Sequence, residues 1–323
     1  MTAAEDELFR LAAEVAAARG QSADLPVAAS AAVSRPLPAS SPTGRRQSVA
    51  PDPAPILEMA TLATSSKGNA TLVRAGNTAV LVDAGISARR LTQGLRGLGV
   101  DPAALSGILL THEHSDHVAG LARFLKQYDV PVYANQATWQ ALGEVGVTYA
   151  RRRIPLAAEM TVGSLRVGRF PTTHDAADPS GFTFCVGRVK GAVCTDLGEV
   201  TSAVAAALSE TDMLVLEANH DPEMLYNGPY AAYLKRRIAG PQGHLANAQA
   251  GQLLAHLYRG RSMQLIWAHR SATNNHVTKV EDAIVGALAR NDISIAREAI
   301  RWQHGDPAAT VRMCVTERIK ENQ

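Results

Sequence analysis

The stretch Thr111-His112-Glu113-His114-Ser115-Asp116-His117 constrains this chain more than any other. It follows the apolar run Ile108-Leu109-Leu110 and precedes a helical pattern from Val118 to Leu125. A buried strand therefore ends where the first histidine begins, and a helix starts just after the last. Imidazole nitrogens and carboxylate oxygens are the donors that borderline divalent ions prefer. The H-x-H alternation aims His112 and His114 at one point, and Asp116 and His117, at the helix start, aim at a second point nearby. A single histidine beside a core strand is ordinarily a packing residue. Three histidines and an aspartate crowded into one strand-to-helix turn read instead as a two-metal site.

The length of 323 residues exceeds the usual ceiling for one compact core, so one large domain with appendages, or two domains, is expected. An apolar content of 46% suffices for a substantial core. The net charge of +2 gives a weak overall field, so any polyanion would have to be met by local patches. Cys185, Cys194 and Cys314 are an odd set without paired spacing, which argues for a reducing cytoplasm rather than a disulfide framework. Cys185 and Cys194 sit in apolar, strand-like surroundings that suit packing. There is no apolar run long enough to span a membrane, and the acidic start, Glu5-Asp6-Glu7, is unlike a secretory signal.

Residues Ala3 to Arg19 have the stripe of a short helix. The following Ala-, Pro- and Ser-rich stretch to Pro55 cannot bury enough apolar area to offset its ordering entropy. Residues 1–55 are therefore expected to be a disordered extension, and 56–323 the folded domain. Within the extension, Arg45-Arg46 is expected to be a solvated pair.

Strands are expected at Met59–Ala63, Thr71–Val73, Ala79–Val82, Ile108–Leu110, Pro131–Tyr133, Leu165–Phe170, Gly181–Val186, Gly191–Cys194, Met213–Leu216 and Gln264–Trp267, with two more near Ile293–Ala296 and Thr310–Thr316. Helical patterns cover Arg89–Leu98, Ala137–Val145, Val200–Leu208, Tyr230–Ile238, Ala246–Tyr258 and Lys279–Ala289. Strands alternating with helices indicate an α/β protein with mixed sheets. Two strand-rich halves, each flanked by helices, would bury their sheets face to face.

Ligand-type residues recur at the ends of the apolar strands: Asp83, His112, His174, Asp196, Glu217 and His269. In open α/β sheets, functional groups gather beyond the strand ends. One such residue is usually a cap or a turn residue; six in regular placement suggest one rim.

This series, with Asp116 and His117, resembles the metallo-β-lactamase fold superfamily from about Leu57 onward. Further motifs resemble one branch, the YycJ/WalJ-type hydrolases, which are related to RNase Z and RNase J. Those motifs are Ser65-Ser66-Lys67-Gly68-Asn69, His174-Asp175-Ala176, Glu217-Ala218-Asn219-His220-Asp221, Gly243-His244-Leu245-Ala246-Asn247 and Asn274-Asn275. Two departures are Ala63-Thr64 before Ser65, where a Gly-Ser pair is expected, and Arg270 after His269, where Leu is expected.

The resemblance implies an αββα four-layer sandwich of two mixed β-sheets, a pair of divalent ions (zinc or manganese) and hydrolase activity. For this branch it implies a 5′-to-3′ exonuclease on DNA. It implies His112, His114 and His174 as ligands of one metal, Asp116, His117 and His269 as ligands of the second, and Asp196 as the bridging carboxylate. Asp83 would hold a ligand imidazole in its correct tautomer. Asp116 and His244 would act in catalysis, and Ser65, Ser66, Lys67, Asn69, Asn274 and Asn275 would contact substrate.

Two divalent ions against Asp116 and Asp196 leave a positive site, which favours an anionic phosphodiester. A metal-bridging hydroxide is the expected nucleophile. His244 reads equally as a proton donor to the leaving oxygen and as a cap of the helix after it. Lys235-Arg236-Arg237 could grip phosphates by charge or form a solvated helix face. Arg151-Arg152-Arg153 is a weaker candidate of the same kind. The alternative activity is a small-molecule hydrolase acting on a thioester, lactone or cyclic phosphodiester, because function belongs to the site rather than the scaffold. A non-catalytic metal-binding regulator is disfavoured by the completeness of the ligand set.

Overall fold

The computed structural model describes residues 57–149, 152–293 and 300–316. The N-terminal extension and most of the strand expected at Ile293–Ala296 lie outside the described residues. Two seven-stranded mixed sheets are stacked on each other. The first contains β1 (Leu57–Ala63), β2 (Ala70–Ala75), β3 (Thr78–Val82), β4 (Gly107–Leu109), β5 (Val132–Ala134) and β6 (Arg153–Pro155), with β14 (Val311–Val315) on the free side of β1. The second runs from β7 (Glu159–Val162) through β8 (Leu165–Pro171), β9 (Ser180–Val186), β10 (Val189–Cys194), β11 (Met213–Glu217) and β12 (Met263–Ala268) to β13 (Ile300–His304).

The period-2 geometry of a strand divides each apolar run between two cores. In β3, Val80 and Val82 face the layer between the sheets, while Ala79 and Leu81 face the outer helices. In β12, Ile266 and Ala268 face inward, while Leu265 and Trp267 meet the helices of the second sheet. Both faces are buried, so these strands read as continuous apolar runs. The outer layers include α1 (Ala88–Gly97) on the first sheet, and α6 (Ser202–Leu208), α9 (Asn247–Leu257) and α10 (Val277–Arg290) on the second. Helix, sheet, sheet and helix are thus stacked as the αββα reading requires.

Several local expectations need correction. Strand β13, Ile300–His304, lies downstream of the Ile293–Ala296 stretch, most of which is outside the described residues. The helix expected from Val118 to Leu125 is two short helices, α2 (Ser115–Val118) and α3 (Leu121–Leu125), separated at Gly120. Helix Ala137–Val145 is likewise two, α4 (Gln136–Ala141) and α5 (Glu144–Thr148), with Gly143 at the break. Strands β6 and β7 and helix α7 (Pro222–Asn227) carry no long apolar run and were not anticipated.

The loop after β3 explains the break at Gly120. A Cβ on Gly120 would lie 1.9 Å from the Ile86 carbonyl oxygen, and one on Gly85 would lie 1.6 Å from that of Asp116. Only glycine permits this approach. The backbones are joined by Ala84 N–H to His117 O, Gly120 N–H to Ala84 O and Asn69 N–H to Asp116 O, each at 2.8 Å. The metal-type motif is thereby fixed against the ends of β1 to β3. Among the described residues no helix is long and apolar enough to cross a membrane, and all three cysteines are free.

Candidate metal centre

The strand ends deliver the ligand-type side chains to one place. Asp83 follows β3, His112 follows β4, His174 follows β8, Asp196 follows β10, Glu217 ends β11 and His269 follows β12. Asp83, Asp196 and His269 take left-handed backbone angles, with φ of 62°, 56° and 50°. Such conformations cost about 1 kcal/mol or more for non-glycine residues and persist only where their surroundings impose them. Each is anchored by its own N–H: Asp83 to Leu109 O at 2.9 Å, Asp196 to Glu217 Oε2 at 3.1 Å, His269 to Thr64 Oγ1 at 2.9 Å.

The ring centroids of His112, His114 and His174 stand 4.6, 5.1 and 5.1 Å apart, a nearly regular triangle. On the other side, His117 Nε2 lies 3.4 Å from Asp116 Oδ2, and His269 Nε2 lies 3.3 Å from the same oxygen. Asp196 sits between the two groups. Its Oδ2 is 3.1 Å from His117 Nε2, and its Oδ1 is 3.6 Å from His174 Nε2 and 3.5 Å from His269 Nε2. Among the described residues, four overlapping sets of donors result, each with its atoms within 4.8 Å of one another. The fourth, Asp196-Glu217-His244-His269, brings in two residues outside the seven expected ligands.

The orientation of the imidazoles is set from behind. His117 Nδ1 donates to Asp83 Oδ2 at 2.7 Å, and His174 Nδ1 to the Gly243 carbonyl at 2.9 Å. His269 Nδ1 donates to Glu217 Oε2 at 3.0 Å, and His112 Nδ1 lies 3.0 Å from Thr111 Oγ1, which itself donates to Asp83. Carboxylates and carbonyls only accept, so the proton belongs on Nδ1 and the Nε2 lone pair is directed inward. His112 Nε2 is buried yet has no hydrogen-bond partner among the described residues. A buried acceptor without a partner costs about 1–3 kcal/mol, and a coordinated cation removes that cost. This donor set fits divalent ions that accept nitrogen and oxygen.

Without a cation, protons must balance the buried carboxylates. Burial pushes the His269 imidazole down, but the Asp196 charge and hydrogen bonds to Asp116 and Glu217 outweigh it and raise its pKa to about 10. His117 is raised in the same way: burial is overcome by Asp196 and Asp83. Burial pushes Glu217 up, but His244 and His269 hold it down at about 2. His112 moves the other way: burial lowers it, and the neighbouring His117 adds to that.

The raised His269 pKa stabilises the metal-free protein fully below the ordinary value of 6.5, and that stabilisation is lost as pH rises towards about 10. Bound metal needs no such protons. The drop in melting temperature on chelation should therefore widen as pH rises from 6.5 to 9. Thermal melts with and without chelator across that range check it; a constant or narrowing difference would contradict it.

A cavity of about 260 Å³ opens above the cluster. Its wall includes Ser66, Asp116, His174, Asp196, His244 and His269, together with Tyr230 and, from helix α8 (Ala232–Ile238), Leu234, Arg237 and Ile238.

The residues expected to contact substrate separate into two groups. Ser66 lines the cavity, and Lys67, next in sequence, is exposed. Ser65 and Asn69 are buried and tie the loop together, Ser65 N–H donating to Asn69 Oδ1 at 3.1 Å and Asn69 Nδ2 donating to Ser65 O at 3.0 Å. Asn69 Nδ2 also lies 3.1 Å from His117 Nε2. Asn275 is buried, its amide engaged by the carbonyls of Ala218 and Asn219 and by Asn247. Asn274 is 1% exposed and abuts Gly228. Neither asparagine borders the cavity.

His244 is not the helix cap: α9 starts from Ala246, whose N–H donates to Gln249 Oε1 at 2.9 Å. Instead His244 Nδ1 donates to Glu217 Oε2 at 3.0 Å. Of the arginine triplet, Arg151 lies outside the described residues, Arg152 pairs with Asp129 and Arg153 stacks on Trp139, so the described pair supports the fold. Thr64, Thr111, Asn219 and Gly243 stand within the quoted motifs or beside them, but the sequence assigns them no role, because they act through a hydroxyl, a side-chain amide or a backbone carbonyl.

Residues 64–239 match the model of the metallo-beta-lactamase superfamily, and the chain belongs to that family. It is a hydrolase of the metallo-β-lactamase fold. The chain is 32% identical over 240 residues to exodeoxyribonuclease WalJ of Streptococcus pneumoniae serotype 2, covering 72% of this chain and 89% of that protein. It is 35% identical over 254 residues to exodeoxyribonuclease YycJ of Bacillus anthracis, covering 78% and 96%. Among solved structures, the metallo-beta-lactamase fold protein YhfI from Bacillus subtilis superposes with a TM-score of 0.59 at 15% identity, covering 79% of this chain and 99% of that one. That likeness concerns the fold.

Proposed function

We propose that this hydrolase cleaves phosphodiester bonds of DNA, removing nucleotides in the 5′-to-3′ direction. Two divalent ions, zinc or manganese, would be held by His112, His114 and His174 and by Asp116, His117 and His269, with Asp196 shared. The observation that carries the reading is the convergence of these side chains in one cluster, five of which (His114, Asp116, His174, Asp196 and His269) line one cavity. The WalJ and YycJ relatives, matched over most of their length and named as exodeoxyribonucleases, support DNA as the substrate.

Charge balance favours two ions over one. Asp83, Asp116, Asp196 and Glu217 place four carboxylates in or behind the cluster. Two divalent ions neutralise them, whereas one leaves a negative site that repels phosphate. Counting Asp116 and Asp196 alone overstates the positive charge. With all four included the site is neutral, and the cations that would draw an anion are Arg237 on the cavity wall and the exposed Lys67, next in sequence to the cavity-lining Ser66.

When bound, the ions lower the pKa of water and stabilise charge on the entering and leaving oxygens. The chain supplies the rest. Asp116, at the cavity wall, orients the attacking water by accepting its proton. His244, held at Nδ1 by Glu217, would as imidazolium donate its Nε2 proton to the leaving 3′ oxygen of the terminal nucleotide and remain as the neutral Nδ1–H ring. The P–O3′ bond breaks, a mononucleotide leaves and the shortened strand carries a new 5′ phosphate. Ser66 and Lys67 offer a hydroxyl and an ammonium to that phosphate.

The test is incubation of the purified full chain with 5′-phosphorylated, end-labelled DNA, with Mn²⁺ and with chelator. Metal-dependent mononucleotide release, falling steeply as salt rises, is expected. Intact DNA and RNA together with turnover of chromogenic esters would replace this reading with the small-molecule hydrolase.

A further inference from the structure

Among the described residues, four large hydrophobic or aromatic side chains stand exposed, and two of them share one place. Tyr226, 79% exposed, is on α7, and Tyr233, 69% exposed, is on α8. Helix α8 buries none of its residues, although burial of one face normally stabilises a short helix. Its Leu234, Arg237 and Ile238 border the cavity above the metal-type cluster. Tyr233 precedes Arg237 by four residues and shares its face of the helix. Lys235 Nζ donates to the Tyr226 carbonyl at 2.7 Å, tying the end of α7 to α8. Arg237 pairs with Asp175, the residue after His174. Two exposed aromatic faces, three consecutive cations and the cavity therefore lie together on one pair of helices.

We infer that α7 and α8 form a stacking platform for the unpaired bases of a single DNA strand whose terminal phosphodiester enters the cavity. The inference rests on the nuclease reading and names its substrate class. Non-specific single-strand sites combine a positive track for the backbone with aromatic rings for successive bases. In a duplex the base faces are covered by neighbouring bases, so two separate tyrosines have little to stack on. Lys235 and Arg236 supply the charge that complements the backbone, Arg237 being paired with Asp175.

The experiment uses the full chain with Mn²⁺ bound and oligonucleotides whose terminal linkages are phosphorothioates, so that DNA is bound without being cut. Fluorescence anisotropy compares wild type, the double variant Tyr226→Ala/Tyr233→Ala and the double variant Tyr226→Trp/Tyr233→Trp on a short single-stranded oligonucleotide, on an abasic strand of equal length and on a blunt duplex. The alanine pair should weaken binding of the single strand by about tenfold per tyrosine, the tryptophan pair should restore it, and the abasic strand should bind both proteins alike. Equal affinity of wild type and the alanine pair overturns the platform. So does an equal loss on duplex and abasic strand, or a loss that tryptophan does not restore. Parallel assays with Mn²⁺ on unmodified DNA separate the two claims. Cleavage by wild type with tyrosines that do not matter removes the platform alone; tyrosine-dependent binding without cleavage of any DNA removes the nuclease reading alone.

Discussion

His112→Ala should reduce metal-dependent DNA cleavage by about a thousandfold or more, because loss of one ion's charge stabilisation is worth several kcal/mol, and about 4 kcal/mol is a factor of roughly a thousand. His112 is 1% exposed and its Nε2 has no protein partner among the described residues, so removing it subtracts a ligand from the proposed ion without breaking a bond of Nε2 to the protein. Among the described residues, Thr111 Oγ1 is the one hydrogen-bond partner its ring loses, and that hydroxyl keeps its bond to Asp83. The variant should therefore fold, melt near wild type in chelator and hold less metal per chain. Elemental analysis beside the cleavage assay checks both parts. A variant with full metal content and full activity would remove His112 from the site.

Glu217→Gln should also be damaging, by a smaller factor in activity and for a different reason. Glu217 is fully buried; its Oε2 accepts from His244, His269 and the Asp196 N–H, and its Oε1 accepts from the Leu245 N–H. Glutamine keeps the shape and one acceptor, but its NH₂ group must face a donor, and the negative charge that balances the two imidazoles is lost. Disturbing tautomers behind metal ligands typically costs about 10–100-fold in activity. Breaking a buried charge network costs about 3 kcal/mol of stability. Because the native Glu217 pKa is held down at about 2, this stability is present above about pH 4.5 and disappears as pH falls towards 2. Wild type and variant should accordingly differ most in chelator melts near neutral pH and converge in acid. Unchanged kcat and melting temperature would show that the carboxylate does not carry the network.

The histidine motif was legible because its signal is local. Strand period, helix start and ligand spacing all lie within one turn, Thr111 to His117, and each is fixed by backbone geometry. The apolar strands were legible for a related reason: burial on both faces writes a continuous run into β3, β11 and β12. Breaks imposed by distant packing were not. The helix expected across Val118 to Leu125 divides at Gly120 because Ile86, thirty-four positions earlier, presses its carbonyl there.

Roles that depend on partners far along the chain were decided only by the tertiary structure. Glu217 is named in the sequence as one more strand-end acid, yet it orients both His244 and His269. Asn69 and Asn275 have the composition of substrate contacts, but burial turns their amides onto the protein itself. The sequence determined which side chains can bind a divalent ion and that strand ends present them. The tertiary structure decided which face one another, which are held from behind and what surrounds the mouth. Coordination and hydrogen bonding act over about 3 Å, and only the folded chain brings positions separated by more than a hundred residues, such as Asp116 and His269, within that range.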